Sequence, residues 1–386
     1  MKGLRIGVVG AGIAGLTTAI ALAKHGHEVI LFESTPVWGD VGAGITLAPN
    51  AMRGLDHIGV GHRVTSQGIE PLSQDISHWQ SGDLILSVDR RGTSIKYGAN
   101  YVYIHRADLH EILRDEAKAS KVILKLDHHL VNISCSDTEV SVDFKSGQSD
   151  HLDLLIGADG LKSEVRKLFA PAAPHFTGHI AYRALAPVTP EIQALLDQPG
   201  MHIGPGKMVV RYPLRHGSLL NLVFFARQTG WAEDGWAIEA DIKELKVLFD
   251  DWCDDVQCLL RAIVPGTVYK WAINAHKPLA TWNYKNRVTL IGDAAHAMTP
   301  FLGQGAATGI EDAIMLARAI DDSKTLKEAI DRYQEARFER TSFVQAESNA
   351  NADRLQGEET ELYGFDNLRN EETLGLFAYD CVSEPV

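Results

Sequence analysis

Cysteine is scarce in this chain. Its 386 residues hold four, Cys135, Cys253, Cys258 and Cys381, scattered and without a second pair or a nearby histidine pair. That spacing argues against a zinc site and fits a reduced, cytoplasmic setting. Basic charge is the minority: Lys+Arg is 37 against 50 for Asp+Glu, a net charge of -13. Non-specific binding to nucleic acid or to an anionic membrane is therefore not expected. No apolar run reaches the roughly 18 residues of a membrane span. The apolar N-terminus is interrupted by glycines and reads as strand, loop and helix, not as a signal peptide. There is no internal repeat and no low-complexity tract. His128 and His129, with His151, sit beside a turn and read as solvated, so no metal is expected.

Hydrophobic residues make up 45% and charged residues 23%, enough for two domains or one large domain with a subdomain. "LRIGVVGAGIAGLTTAIALAKHGHEVILFES" reads as strand, glycine loop, helix and strand. A helix is expected from about Pro49. Another covers "HRADLHEILRDEAKAS", with Asp108 as its expected cap. "DLLIGADG" is a buried strand ending at glycine, with Ser163 and Arg166 on a following helix. Beyond Pro171 the texture turns to an antiparallel meander with turns at Pro205-Gly206 and His216-Gly217. Trp231 and Trp236 flank an acidic loop. After Arg287 the chain returns to strand-then-helix, and the tail after Asn349 reads as a surface-packed helix and loops.

Three strand-end glycine sites carry the chemistry. Gly10, Gly12 and Gly15 form G-x-G-x-x-G between a strand and a helix: a tight turn, a close approach for a pyrophosphate, and close helix–strand packing. Glu33 ends the next strand about 20 residues on, where an acid accepts from a ribose hydroxyl. The second site is Asp159-Gly160. The third is "RVTLIGDAAHAMTPFLGQGAATGIEDAIMLARAI". There Asp293 could bond a polyol hydroxyl, Gly303 and Gly305 let backbone amides approach a flat ring, and a helix starts near Ala306. A simple dehydrogenase needs fewer such junctions. A long, bent cofactor touching several strand ends explains them, and FAD is one: pyrophosphate at Gly12, ribityl chain at Asp293, ring near Ala306.

GAGIAG, GADGLKSEVR and GDAAHAMTPFLGQGAATGIEDA, with "GAGITLAPN", "HRADLHEIL" and "AYRAL", resemble the single-component flavoprotein aromatic hydroxylases (class A flavin monooxygenases). Within that family the chain is most similar to the salicylate hydroxylase and 6-hydroxynicotinate 3-monooxygenase group. The resemblance implies an α/β fold: a Rossmann-like three-layer FAD-binding domain with an inserted antiparallel substrate sheet, as in p-hydroxybenzoate hydroxylase. Expected boundaries are 1–70, 101–175 and 276–345 for the first, 71–100 and 176–275 for the second, and 346–386 for a helical tail. It implies FAD contacts at Gly10, Gly12, Ala14, Gly15, Glu33, Gly44, Ile45, Arg106, Asp159, Asp293, Pro300, Gly303, Gly305 and Ala306. Asp159 and its neighbours are also implicated in NAD(P)H use, and Pro300 in lying beside the substrate ring.

The implied activity uses NADH or NADPH and dioxygen to hydroxylate a small phenolic or N-heteroaromatic acid, with or without decarboxylation, through a flavin hydroperoxide. Candidate polar groups for the substrate are Thr46, Tyr182, Arg183, Arg211, Tyr212, His216 and His296. Thr46, Arg183, Arg211, Tyr212 and Pro300 form the expected catalytic set, with Arg211 foremost because an arginine suits a carboxylate. Thr46 stands where 6-hydroxynicotinate enzymes carry histidine in "GAGI-x". Alternatives are a monooxygenase of larger polycyclic or quinolone-like compounds, and a non-enzymatic dinucleotide-fold escort protein. A halogenase is disfavoured, because no W-x-W-x-I-P stretch occurs. A monomer or homodimer is expected.

Overall fold

Near-continuous apolar runs make a sheet buried on both faces. Five such strands lie in parallel in the order Val288–Leu290, Leu154–Gly157, Arg5–Val9, Glu28–Phe32 and Ile123–Lys125. Ile6, Val8, Phe32, Leu154, Leu155 and Ile156 within it are wholly buried. The computed structural model describes residues 1–386 apart from 40–41, 232, 234, 236 and 365–367, and leaves out the side chain of 361; the acidic-loop reading at Trp236 falls outside the described residues.

Two helices run back from this sheet, Ile13–Lys24 and Gly305–Asp322. They meet where their first turns carry small residues. A Cβ added at Gly309 would lie 3.0 Å from the Ala14 Cβ, and one added at Gly292 3.1 Å from it. This close approach brings both helix N-termini to one place. Strands Gly44–Leu47 and Val102–His105 pair antiparallel above them.

The second large sheet has eight strands, ordered Ile238–Glu239, Tyr269–Ala275, His175–Pro187, Leu219–Arg227, Lys207–Leu214, Gly200–Gly204, Ser73–His78 and Leu84–Asp89. It is mixed, not wholly antiparallel as expected: Gly200–Gly204 and Ser73–His78 run parallel. Two segments far apart in sequence supply those strands, so no hairpin constrains their direction. One face packs on a cluster that includes Leu245, Phe249, Trp252 and Leu259; the other looks toward the nucleotide side.

Three further expectations fail locally. The helix Arg106–Ala119 is capped by His105, whose Nδ1 accepts from Ala107 N at 3.2 Å, while Asp108 sits in its first turn. Ser163 precedes, and Arg166 lies in, a single 3-10 turn, Val165–Leu168. The tail is not a surface appendage. Leu326–Leu355 is one helix, so 345/346 falls inside it, and Leu376, Phe377 and Cys381 beyond it are buried.

Candidate active site

The glycines of the first loop divide by what a side chain would meet. Gly10 has φ +98°, and a Cβ there would lie 2.5 Å from Ala158 O. A Cβ at Gly15 would lie 1.9 Å from Gly10 O. These two are glycine because the protein itself is in the way. Around a Cβ at Gly12 nothing lies within 4 Å, although its φ of -71° suits any residue. Gly12 instead faces open space at an uncapped helix N-terminus, which favours an anion. Gly303 and Gly305 also have nothing within 4 Å of an added Cβ. All three border one cavity of about 520 Å³ between the two sheets.

Ala14, Gly44, Ile45, Thr46, Arg106, Asp293, Pro300 and Ala306 border it as well. Gly292, at φ +57°, turns the chain so that Asp293 opens onto this space. The surrounding bulk pushes the Asp293 carboxyl above its ordinary value, and His296, Arg106 and His276 oppose that. Arg106 is pushed down by burial, with Asp293 drawing it back up. A flexible polyol and a flat ring fit this arrangement: open backbone at Gly12, Gly303 and Gly305, one acid, one arginine, and two helix starts.

Glu33 sits at its strand end but outside the cavity lining. Its carboxylate accepts from Ala11 N at 2.8 Å and Thr35 N at 2.9 Å. Burial opposes its ionisation, yet those amides outweigh burial and leave its pKa lowered. Asp159 lies behind the cavity. It accepts from Ser163 Oγ and from Glu164 N at 2.7 Å, so it holds the turn that places its cavity-lining neighbours Ala158 and Gly160.

Strand alternation settles the substrate-side candidates. In Lys207–Leu214, Met208, Val210 and Tyr212 line the cavity. Arg211 therefore points through the other face. It is 2% exposed and donates to His202 Nδ1 at 3.1 Å, with Asp255 nearby. Arg211, expected at the substrate, therefore does not line the cavity. Tyr182 shares that far face, its hydroxyl on Glu244 at 3.3 Å, while its neighbour Arg183 lines the cavity beside the Trp271 ring at 5.6 Å. His216 lies in an exposed turn. His296 is buried, with Nε2 on Asp312 at 2.6 Å.

Tyr212 packs face to face with Tyr103 at 4.5 Å, and a Cβ at Gly44 would strike its ring at 2.3 Å. Burial raises the pKa of its hydroxyl and keeps it a neutral phenol, with Thr46 opposing part of that rise. Sequence reasoning missed Trp271, Phe301, Asn351 and Glu371, which also line the cavity. The last two come from the segment read as a surface tail, and no local pattern marks them.

Residues 4–348 match the FAD binding domain family. The chain is 34% identical over 375 residues to the salicylate hydroxylase of Pseudomonas putida, covering 90% of this chain and 85% of that one. It is 32% identical over 391 residues to the 6-hydroxynicotinate 3-monooxygenase of Pseudomonas fluorescens, over 99% of this chain and 96% of that one. A solved salicylate hydroxylase substrate complex matches with a TM-score of 0.84 at 27% identity, over 98% of this chain and 96% of the other.

Proposed function

The chain belongs to the FAD-binding domain family, and from that premise we infer that it is an FAD-dependent monooxygenase that hydroxylates small aromatic substrates at the expense of NAD(P)H and dioxygen. The observation that carries the reading is one continuous cavity in which a glycine-lined nucleotide cradle opens directly onto an apolar chamber. Bound FAD would supply the redox chemistry, taking reducing equivalents from the nicotinamide and delivering one oxygen atom of dioxygen to the ring.

The chain's own residues do the rest. Gly12 and the helix starting at Ile13 would hold the pyrophosphate, and Glu33 would accept from ribose while steadying the loop through Ala11 N. Asp293 and Arg106 would hold the polyol. The helix starting at Gly305 would direct its positive end at the ring's polar edge. On the substrate side, Met208, Val210, Phe225 and Phe301 keep the chamber dry, which protects the oxygen-transfer step from loss to water. Tyr212 and Thr46 form a neutral hydroxyl pair able to orient a phenol, and Arg183 is the cation placed for an acidic group. Pro300 would present its backbone beside the ring.

No helix among the described residues is long and apolar enough to cross a membrane. A monomer or homodimer in the cytoplasm is the setting we propose. Purified protein should be yellow and release FAD on heating. Mixed with NADH or NADPH and a panel of phenolic and N-heteroaromatic acids, it should oxidise the nicotinamide faster with one of them and yield a hydroxylated product. Released FMN would refute this reading, and no flavin after reconstitution would refute it and favour an escort protein.

A further inference from the structure

The strand register defines how long the substrate chamber is. One row of residues crosses its floor: Arg183 opposite Val223, Val223 opposite Val210, Val210 opposite Met201, and Met201 opposite Ile76. All five line the cavity. Four strand steps separate the ends of that row, about 19 Å along the sheet at the usual strand spacing. Even with the Arg183 side chain reaching inward, that length exceeds what a single six-membered ring fills.

The two ends differ in charge. Arg183 stands at one, feeling Arg106 and hence close to the cofactor side. At the other, Gln74, two residues from Ile76 on the same strand, and Glu371 line the wall. Arg90 ties them together: it donates to Gln74 Oε1 at 2.8 Å and lies 3.6 Å from Glu371 Oε1. Tyr101 also donates to that oxygen, at 3.3 Å. Arg90 also pairs with Glu372 at 3.4 Å, and it does not line the chamber. Among the described residues, the charged groups bordering the cavity are Arg106, Arg183, Asp293 and Glu371, so Glu371 is the charge at the far end. Asn351 is a separate acceptor on the wall beside Phe301, whose ring packs on His179 and Phe225. It is 3% exposed, it gives its Nδ2 to Phe301 O at 2.7 Å, and its Oδ1 has no partner. A carboxylate at that end recognises a donor and repels a second carboxylate.

Resting on the ring-hydroxylase reading, we propose that the chamber takes an elongated aromatic substrate, of fused-ring length. Its acidic or carbonyl group lies toward Arg183, and a hydrogen-bond donor at its far end, a hydroxyl or N–H, is read by Glu371.

The test is calorimetric binding to the FAD-loaded protein, with salicylate, 3-hydroxy-2-naphthoate and 3,7-dihydroxy-2-naphthoate as probes. Both naphthoates should bind more tightly than salicylate. The far hydroxyl of the third should add about tenfold to a hundredfold over the second, the range for a hydrogen bond to a charged group. In Glu371→Gln that ratio should fall toward one. Glu371→Asp, which keeps a charge for Arg90 but draws it back, should lower the ratio too, and flavin content reports whether each variant is folded. Salicylate binding as tightly as the naphthoates, or a ratio unchanged in both folded variants, overturns the proposal. Protein that never holds FAD overturns the ring-hydroxylase reading instead, so the two failures are distinct.

Discussion

Gly12 and Gly15 sit three residues apart in one loop, and alanine should have opposite consequences at the two. At Gly12 the added Cβ meets no protein atom within 4 Å, and φ is -71°. Two small effects then compete in the flavin-free protein. Restricting the unfolded chain stabilises by about 0.4–1 kcal/mol. Gly12 is also the N-cap of Ile13–Lys24, where alanine is a poorer cap than glycine by about 0.5–1 kcal/mol. The sum is near zero, within about 0.5 kcal/mol, less than roughly 1 °C in Tm for a chain of this length. The same methyl group occupies the approach to the helix N-terminus. Losing even one charge-assisted hydrogen bond to a phosphate costs about 1.5–3 kcal/mol, so the FAD dissociation constant should rise roughly tenfold to hundredfold. Valine, larger still, should give colourless protein. At Gly15 the Cβ would lie 1.9 Å from Gly10 O, a clash with backbone that cannot rotate away, so Gly15→Ala should fold poorly with or without flavin. Flavin titration and thermal unfolding of the apoproteins measure both quantities. If Gly12→Ala binds FAD like wild type, or its apoprotein melts many degrees lower, the open space at Gly12 is not where the cofactor passes.

Glu33→Ala should weaken FAD binding by roughly tenfold or more, the value of a charge-assisted hydrogen bond, and Glu33→Gln should recover part of it; an unchanged dissociation constant would make Glu33 a loop brace only. Ala306→Asp should lower the flavin midpoint potential by tens of millivolts, because a helix-end charge is worth about 0.3–2 kcal/mol and 30 mV corresponds to about 1.4 kcal/mol; redox titration decides, and a rise would mean the helix faces elsewhere. Arg183→Met should raise KM for an aromatic acid, whereas Arg211→Met should leave KM unaltered and lower stability; steady-state kinetics with the reverse pattern would refute the parity assignment. Glu311 is held at about 2, below an ordinary 4.5, since Arg340 and Arg337 outweigh its burial. The unfolded chain therefore takes up this proton first, so stability present above about pH 4.5 should fall as pH drops toward 2. Glu311→Gln should be less stable at neutral pH and flatter across that window in acid denaturation; an equally steep profile would assign the acid sensitivity to other groups.

The nucleotide half was legible because its signals are local. Gly10, Gly12 and Gly15 mark a turn by spacing alone, and a strand before and a helix after confirm it within a few residues. The substrate half depends on which face of a long strand looks inward, and residue type does not carry that. Arg211 suits a carboxylate chemically, but Tyr212 is its neighbour and the two cannot share a face. The apolar Met208 and Val210, in step with Tyr212, are the signal that assigns the inward face. Glu371 and Asn351 reach the cavity only because the C-terminal segment folds back over the chamber, a contact between positions hundreds of residues apart. Polar composition made that segment look solvated, and its buried anchors, Leu376, Phe377 and Cys381, are too few to form a period.

The "GDAAH…GIEDA" stretch contains one more device. Asp312, wholly buried, accepts from Gly292 N at 2.9 Å, from His296 Nε2 at 2.6 Å and from Arg337 Nε at 2.8 Å. Glu311 beside it accepts from Arg340 at 2.7 Å and from Asn50 Nδ2 at 2.7 Å, and the same Asn50 nitrogen donates to Gln304 Oε1 at 2.9 Å. Buried ion pairs of this kind add little stability over a well-packed apolar core, so stability does not explain them. Position does. Apolar side chains would fill the same volume, yet none could fix a backbone amide at φ +57° or tie Gln304, at the helix N-cap, to a neighbouring helix. The network joins the turn that aims Asp293 and the loop that ends at Gly305 to one rigid pair of acids. Two cavity walls that a long cofactor must touch at once are thereby held at a set separation before it binds, which lowers the ordering cost of binding.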